Sequence, residues 1–190
     1  MVDAALQTLI EEGYAGTSAR AIAVRGGFNP ALVFYHFGGV DELLLAALDR
    51  SSAERLRRYR VAISDPGAPD ELVRRAAHLF REDVEGGHVT VVTELIGASL
   101  SKPQLRSDLV TRMRPWLALT QQVLERLLGN SPLAAVAPAA EPAAFAAVAG
   151  YLGLNMLSRL MPDFSQTDAL FLLIEQFATH VAAVAPDVTA

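Results

Sequence analysis

The chain has 190 residues, of which 52% are hydrophobic, 19% charged and 7% aromatic, and its formal net charge is −5. That length supports a sizeable core, and the composition is that of packed helices rather than of a disordered chain. There is no cysteine, which excludes a disulfide framework and a thiolate metal site.

The charge is unevenly distributed. Residues 1–60 carry seven acids and seven arginines, so the remaining fourteen acids and nine bases give 61–190 the whole −5. Phosphate contacts need local cations, so composition alone does not point to nucleic acid. No charged start with a short apolar run and a small-residue cleavage site marks a signal peptide. The most apolar stretch, Ala143 to Met161, is rich in alanine and glycine and contains Asn155, Ser158 and Arg159. It reads as a buried helix of a soluble protein, not a membrane span, and the expected location is the cytoplasm.

In chain order, Val2, Ala5, Leu6, Leu9 and Ile10 form one helical stripe over Val2 to Glu12, ended by Gly13 and Gly16. Thr17 or Ser18 supplies the capping hydroxyl for a second short helix that runs to about Arg25. Gly26-Gly27 breaks it. Asn29 then caps a third helix, with Pro30 at its first position and Gly38-Gly39 at its end. Two short helices around a glycine turn are the helix-turn-helix arrangement. A long fourth helix spans about Val40 to Ile63, with Asp41 and Glu42 at the positive end of its dipole. Its basic run of Arg55, Arg57, Arg58 and Arg60 reads as a solvated face.

Asp65-Pro66-Gly67-Ala68-Pro69 breaks the chain there. Helical stretches follow at about Asp70–Glu85, Val89–Leu100, Pro103–Leu128, Pro142–Leu160 and Thr167–Val184, separated by Gly86-Gly87, Ser101-Lys102, a Pro/Ala-rich loop over 129–141 and Pro162-Asp163. Only Val89-Thr90-Val91-Val92 is ambiguous between helix and strand.

The run Gly27-Phe28-Asn29-Pro30-Ala31-Leu32-Val33-Phe34-Tyr35-His36-Phe37-Gly38-Gly39-Val40-Asp41-Glu42-Leu43-Leu44 resembles the TetR family of transcriptional regulators. Gly13-Tyr14-Ala15-Gly16-Thr17-Ser18 and Ile22-Ala23 match the same pattern, which covers roughly residues 4–48. The resemblance implies an all-α chain: a three-helix DNA-binding head (1–48), joined by the long fourth helix to a helical-bundle ligand-binding and dimerisation domain (49–190). The implied function is a dimeric repressor, released from operator DNA by a small-molecule effector.

The residues fit that chemistry. Val33 and Phe37, four apart, can fill a small core with Phe28, Ile22 and Leu6. The opposite face offers Asn29, Pro30, Ala31, Leu32, Phe34, Tyr35 and His36 to the major groove, whose base edges carry a distinctive hydrogen-bonding code. Thr17, Ser18 and Arg20 lie at a helix N-terminus, suited to phosphate. Two positions depart from the family: Phe34 stands where tyrosine is common, and Val40 where lysine is frequent. Each removes a usual phosphate contact.

In the body, Leu170, Leu173, Ile174, Phe177 and Val181 line one stripe, while Ala146 and Gly150 permit close backbone approach in a helix apolar nearly all round. The resemblance implies that these two helices pair with their symmetry mates, placing two recognition helices about 34 Å apart on a near-palindromic duplex. Candidate effector contacts are Phe80, Thr93, Met113, Trp116, Tyr151, Asn155 and Met156, aromatic and methionine residues with a few polar groups. No cofactor or metal is expected: His78, His88 and His180 are scattered, and Gly86-Gly87 is not a phosphate loop. An enzyme is therefore not the expected reading. The alternative is a helical ligand-binding or adaptor module whose head no longer binds DNA.

Overall fold

The structure, a computed structural model, describes residues 1–64, 69–129, 139–161 and 166–184; the side chains of 69–70, 127–129 and 181–184 are outside the described set. The expected breaker at 65–68, most of the 129–141 loop and Pro162-Asp163 therefore lie outside the described residues. The helices are α1 (Val2–Gly16), α2 (Ala19–Gly26), α3 (Ala31–Phe37), α4 (Val40–Ser64), α5 (Pro69–Glu85), α6 (His88–Ser99), α7 (Pro103–Gly129), α8 (Ala140–Leu160) and α9 (Thr167–Val184). Among the described residues there is no strand, and the all-α expectation stands.

Two boundaries differ from expectation. α1 does not stop at Glu12 but continues to Gly16, broken internally at Gly13 (φ 68°, ψ 177°). The ambiguous Val89–Val92 run is helix, with His88, Val89, Thr90, Val91 and Val92 all buried in α6. Periodicity cannot separate a short all-apolar strand from a buried helix turn, and burial on every side is what both require.

By packing, the chain forms two compact units. The first contains Met1–Leu56 and Glu85–Met113, which takes in α1 to α3, the first part of α4, α6 and the start of α7. The second contains Arg57–Val84 and Arg114–Ala190. This grouping is one of packing and differs from the expected division of roles at residue 48, because α6 and the start of α7 pack with the N-terminal helices.

The first unit's core is built from Ala5, Leu9, Ile22, Val33, Leu43, Leu44, Leu48, Val89, Val91 and Leu95, all buried. In the second, Leu72, Ala77, Phe80, Leu119, Ala140 and Ala144 are buried together with the polar Asp83 and Asn155. Pro115 sits inside α7, two residues past the boundary between units, where it has no N–H to give the helix ladder.

Candidate functional site

The helix-turn-helix is set by local hydrogen bonds. Ser18 Oγ accepts the Ala21 N–H at 3.1 Å and caps α2. Thr17 does not share that role: its hydroxyl donates to the Gly13 carbonyl at 2.7 Å and closes the end of α1. α2 ends at Gly27, whose left-handed backbone (φ 68°, ψ 37°) costs least without a Cβ. Asn29 Oδ1 then accepts the Ala31 N–H at 2.9 Å. Asn29 thus caps α3 as expected, with Pro30 in helical conformation at its start.

The two faces of α3 separate as the i, i+4 spacing predicts. Val33 is fully buried, with Ile22, while Phe37, Phe28 and Leu6 are half-buried around it. The outward face carries Leu32, Phe34 and Tyr35, respectively 38%, 58% and 82% exposed, together with exposed Asn29, Pro30, Ala31 and His36. The Tyr35 and His36 rings meet edge to face at 4.9 Å. A contiguous exposed strip of aromatic and apolar side chains on a short helix is a surface made for contact.

The cations of this unit are mostly spent on its own acids. Arg25 donates to Glu11 at 2.7 Å and to Glu12 at 3.4 Å, and its Nε donates to Thr8 Oγ1 at 3.1 Å. The hydrogen bond that Arg25 donates to Glu11 contributes most to raising the Arg25 pKa. Arg50 pairs with Asp3, and Arg112 holds Asp49 at 2.7 Å. Arg20 differs: it is exposed in the first turn of α2, and among the described residues no carboxylate pairs with it. It borders a shallow surface groove also lined by Ser18, Ala21 and Val24. Arg20, Ser18 and Thr17 are therefore brought to one helix start.

Asp41, expected only as a dipole partner of α4, does more. It accepts the Tyr14 hydroxyl at 2.5 Å and the Lys102 ammonium at 2.7 Å. Lys102 also reaches the Tyr14 hydroxyl at 2.5 Å. Burial, then the bond to Asp41, raises the Tyr14 pKa; the bonds to Asp41 and Tyr14 raise that of Lys102 strongly. This trio fastens the start of α4 to the last turn of α1 and to the turn between α6 and α7.

The expected effector residues divide between the units. Thr93 and Met113 belong to the first, where the Thr93 hydroxyl is already bonded to the Val89 and Thr90 carbonyls at 3.0 Å. Phe80, Trp116, Tyr151, Asn155 and Met156 belong to the second, though Met156 is 58% exposed. Phe80 and Tyr151 meet edge to face at 4.9 Å, and Trp116 meets Tyr59 in the same way at 5.5 Å. Sequence reasoning missed the group that links them. Asp83, 2% exposed, accepts hydroxyls from Tyr59 at 2.9 Å and Tyr151 at 2.8 Å, both on Oδ2. Burial, then the nearby Tyr59 and Asp83, pushes the Tyr151 pKa far up, so its hydroxyl remains a donor. The available signal was position: Asp83 lies three residues after Phe80, on the apolar face of α5.

The candidate pairing surface is exposed within the single chain. Leu170, Leu173, Ile174 and Phe177 of α9 are 40% to 63% exposed, and Ala146 and Gly150 of α8 are exposed too. The Val181 side chain lies outside the described residues. α8 is not the buried helix expected: Phe145, Leu157 and Leu160 are exposed, and only Ala140, Ala144 and Asn155 are buried. A helix apolar all round presents more surface than one unit can cover. By length and composition α8 could cross a membrane. Among the described residues, no three His, Cys, Asp or Glu side chains are grouped to hold a metal.

Residues 1–47 match the sequence profile of bacterial regulatory proteins of the tetR family. The transcriptional regulator BetI of Brucella abortus is 34% identical over 73 residues, 38% of this chain and 37% of that protein. The chain thus spans little more than a third of the length of these relatives. The match to the regulator Mb3439c of Mycobacterium bovis is longer: 33% identity over 139 residues, 67% of this chain and 70% of that one. Among solved structures, FadR of Bacillus subtilis with stearoyl-CoA superposes with a TM-score of 0.74 at 15% identity, covering 96% of this chain and 97% of that one. A transcriptional regulator of Saccharomonospora viridis with choline also gives 0.74, at 18% identity, covering 94% and 93%. At these identities the structural likeness concerns the fold alone.

Proposed function

The chain belongs to the tetR family of bacterial regulatory proteins, and we propose that it is a dimeric, sequence-specific DNA-binding regulator, a repressor released by a small-molecule effector. The observation that carries the DNA-binding reading is the outer face of α3. Val33 anchors the helix while Leu32, Phe34, Tyr35 and His36 stand outward with no core role. Asn29, Pro30 and Ala31 keep the start of α3 narrow enough for the major groove, and Leu32 can meet a thymine methyl. Thr17, Ser18 and Arg20 supply phosphate contacts at the start of α2. With Phe34 lacking a hydroxyl, Tyr35 takes over the phosphate-binding role of the aromatic pair.

The exposed apolar faces of α8 and α9 support pairing with a second copy, and two heads then read a near-palindromic operator. The buried aromatic and polar side chains of the second unit support an effector site. The fold does not choose the ligand, since one structural neighbour was solved with an acyl thioester and another with choline. As a regulator of this kind the protein acts in the cytoplasm, on duplex DNA.

The test is binding of the purified chain to the DNA upstream of its own gene, against random duplex, over a salt series. Sequence-selective binding that weakens steeply with salt is the expected result. No preference over random duplex overturns the regulator reading and favours a ligand-binding or adaptor module.

A further inference from the structure

For a surface that reads bases, the start of α3 is poor in hydrogen-bonding side chains. The first turn of a recognition helix is the part that meets base edges in the major groove. In α3 that turn turns outward Ala31, Leu32 and Phe34, the last two 38% and 58% exposed, with Pro30 ahead of them. None of these four side chains can donate or accept a hydrogen bond.

Each base edge is read by its own kind of side chain. Guanine takes Arg or Lys, adenine takes Asn or Gln, cytosine takes Asp or Glu, and the thymine methyl takes an apolar contact. The seven residues of α3, Ala-Leu-Val-Phe-Tyr-His-Phe, include none of the first three kinds. Asn29 is adjacent, but its Oδ1 accepts the Ala31 N–H at 2.9 Å, so the carboxamide that adenine requires is committed to the helix start. The arginines of α2 are no substitute: Arg25 is tied to Glu11 and Glu12, and Arg20 stands at the far end of α2 from the turn into α3. Tyr35 and His36 keep their polar groups, but they stand in the last turn, with their rings edge to face at 4.9 Å.

A base edge pressed against an apolar turn loses water without gaining a hydrogen bond, which is unfavourable at every amino and carbonyl group. The C5-methyl of thymine is the major-groove feature that gains from the same contact.

We propose that Leu32 and Phe34 read thymine methyl groups, and that each operator half-site carries thymines where the first turn of α3 lies, selected by apolar contact and not by hydrogen bonds. This rests on the reading of the chain as a DNA-binding regulator and names the bases that it selects.

The full chain first selects its preferred duplex from a pool with a randomised core. Each thymine of the selected half-site is then replaced, one position at a time and in both half-sites, by deoxyuridine, which lacks only the methyl. At the thymines met by Leu32 or Phe34 the affinity should fall by about tenfold or more, since one buried methyl is worth about fourfold and two-fold symmetry counts it twice. Cytosine at such a position should also weaken binding, and 5-methylcytosine should recover about tenfold over cytosine, because it restores the methyl without the hydrogen-bonding edge of thymine. In Leu32→Ala or Phe34→Ala, whichever residue meets the position, the uracil penalty should shrink to about twofold. That coupling separates a direct contact from a change in duplex stiffness, which would penalise parent and variants alike.

A selected core without thymine overturns the proposal, as does uracil that binds as well as thymine at every position, or a uracil penalty undiminished in both variants. In each of these cases a core has been enriched, so the DNA-binding reading stands and this inference alone fails. If no core is enriched over random duplex, the regulator reading fails and this inference fails with it.

Discussion

The Glu94 carboxylate, on α6, accepts the backbone N–H of Tyr14 at 2.8 Å, immediately after Gly13 has interrupted α1. The break takes Tyr14 out of the helix ladder, and Glu94 supplies the acceptor that the ladder no longer provides. Gly13 has φ 68° and ψ 177°, a region that only glycine occupies without strain. A Cβ there would also lie 3.2 Å from Glu94 Oε2. Glu94→Ala should therefore lower unfolding stability by about 1 kcal/mol, because it leaves a part-buried donor without its acceptor. Gly13→Ala should cost a similar amount. Because both changes act on one contact, the double variant should lose clearly less than the sum of the two. Urea denaturation of the four chains measures this, and simple additivity would show that the two residues act separately.

The outer and inner faces of α3 should respond in opposite ways. Tyr35→Ala and Leu32→Ala remove exposed side chains, so the Tm should stay within about 1–2 °C of the parent. Operator affinity should nevertheless fall by about tenfold for each contact removed, in line with about 1–3 kcal/mol per recognition contact. Val33→Ala removes a fully buried side chain and should cost about 2 kcal/mol of stability. Arg20→Ala should weaken specific and random duplex alike and reduce the salt slope by about one unit. Parallel thermal melts and operator titrations separate the three outcomes.

What the sequence disclosed follows the range of the forces involved. Ser18, Asn29 and Gly27 act on backbone within four residues, so their roles are visible from spacing, as is the burial of Val33. Thr17 was ambiguous because two adjacent hydroxyls can each cap α2, and only the path of the backbone at Gly13 decides between them. Asp83 was not visible as a site, because its partners Tyr59 and Tyr151 are 24 and 68 residues away, and no local pattern encodes that meeting. The same is true of Lys102, 61 residues from Asp41. For α8, periodicity gave an apolar surface on all sides without saying whether this chain or another covers it.

The tyrosines and Lys102 set an alkaline limit on stability. Tyr14, Tyr151 and Lys102 all have pKa values raised in the folded chain above their ordinary 10.0, 10.0 and 10.5. A raised value means that the folded state holds its proton where the unfolded state has released it. The resulting stability is fully present below the unfolded value and is lost as pH rises beyond it. Stability should be flat in these groups near neutrality and should fall from about pH 10 upward. Tyr151→Phe keeps the ring but has no proton to lose, so it should flatten that alkaline slope. Guanidinium melts at a series of pH values between 7 and 11 would test this, and an unchanged slope in Tyr151→Phe would place the dependence elsewhere.

The exposed stripe of α9 is the surface on which pairing with a second copy depends. Leu173 and Phe177, 62% and 63% exposed, stand four apart on one face and make no contribution to the core of their own unit. Burying one such side chain contributes about 1.5–3 kcal/mol, and two-fold symmetry counts each position twice. Leu173→Arg with Phe177→Glu should therefore raise the dimer dissociation constant by several orders of magnitude. It should leave the helical content and the packing around Phe80 intact. Sedimentation at micromolar concentration should show a dimer for the parent and a monomer for the variant. Operator binding should weaken in the same variant although no residue of α2 or α3 has changed, because a monomer holds one half-site and loses the linked contact of the second. Phe80→Ala provides the contrast: Phe80 is 3% exposed, so its loss should destabilise the unit by about 3–5 kcal/mol. A variant of α9 that remains dimeric at micromolar concentration would move the interface away from this stripe. The exposed apolar residues of α8, Phe145, Leu157 and Leu160, would then be the next surface to alter.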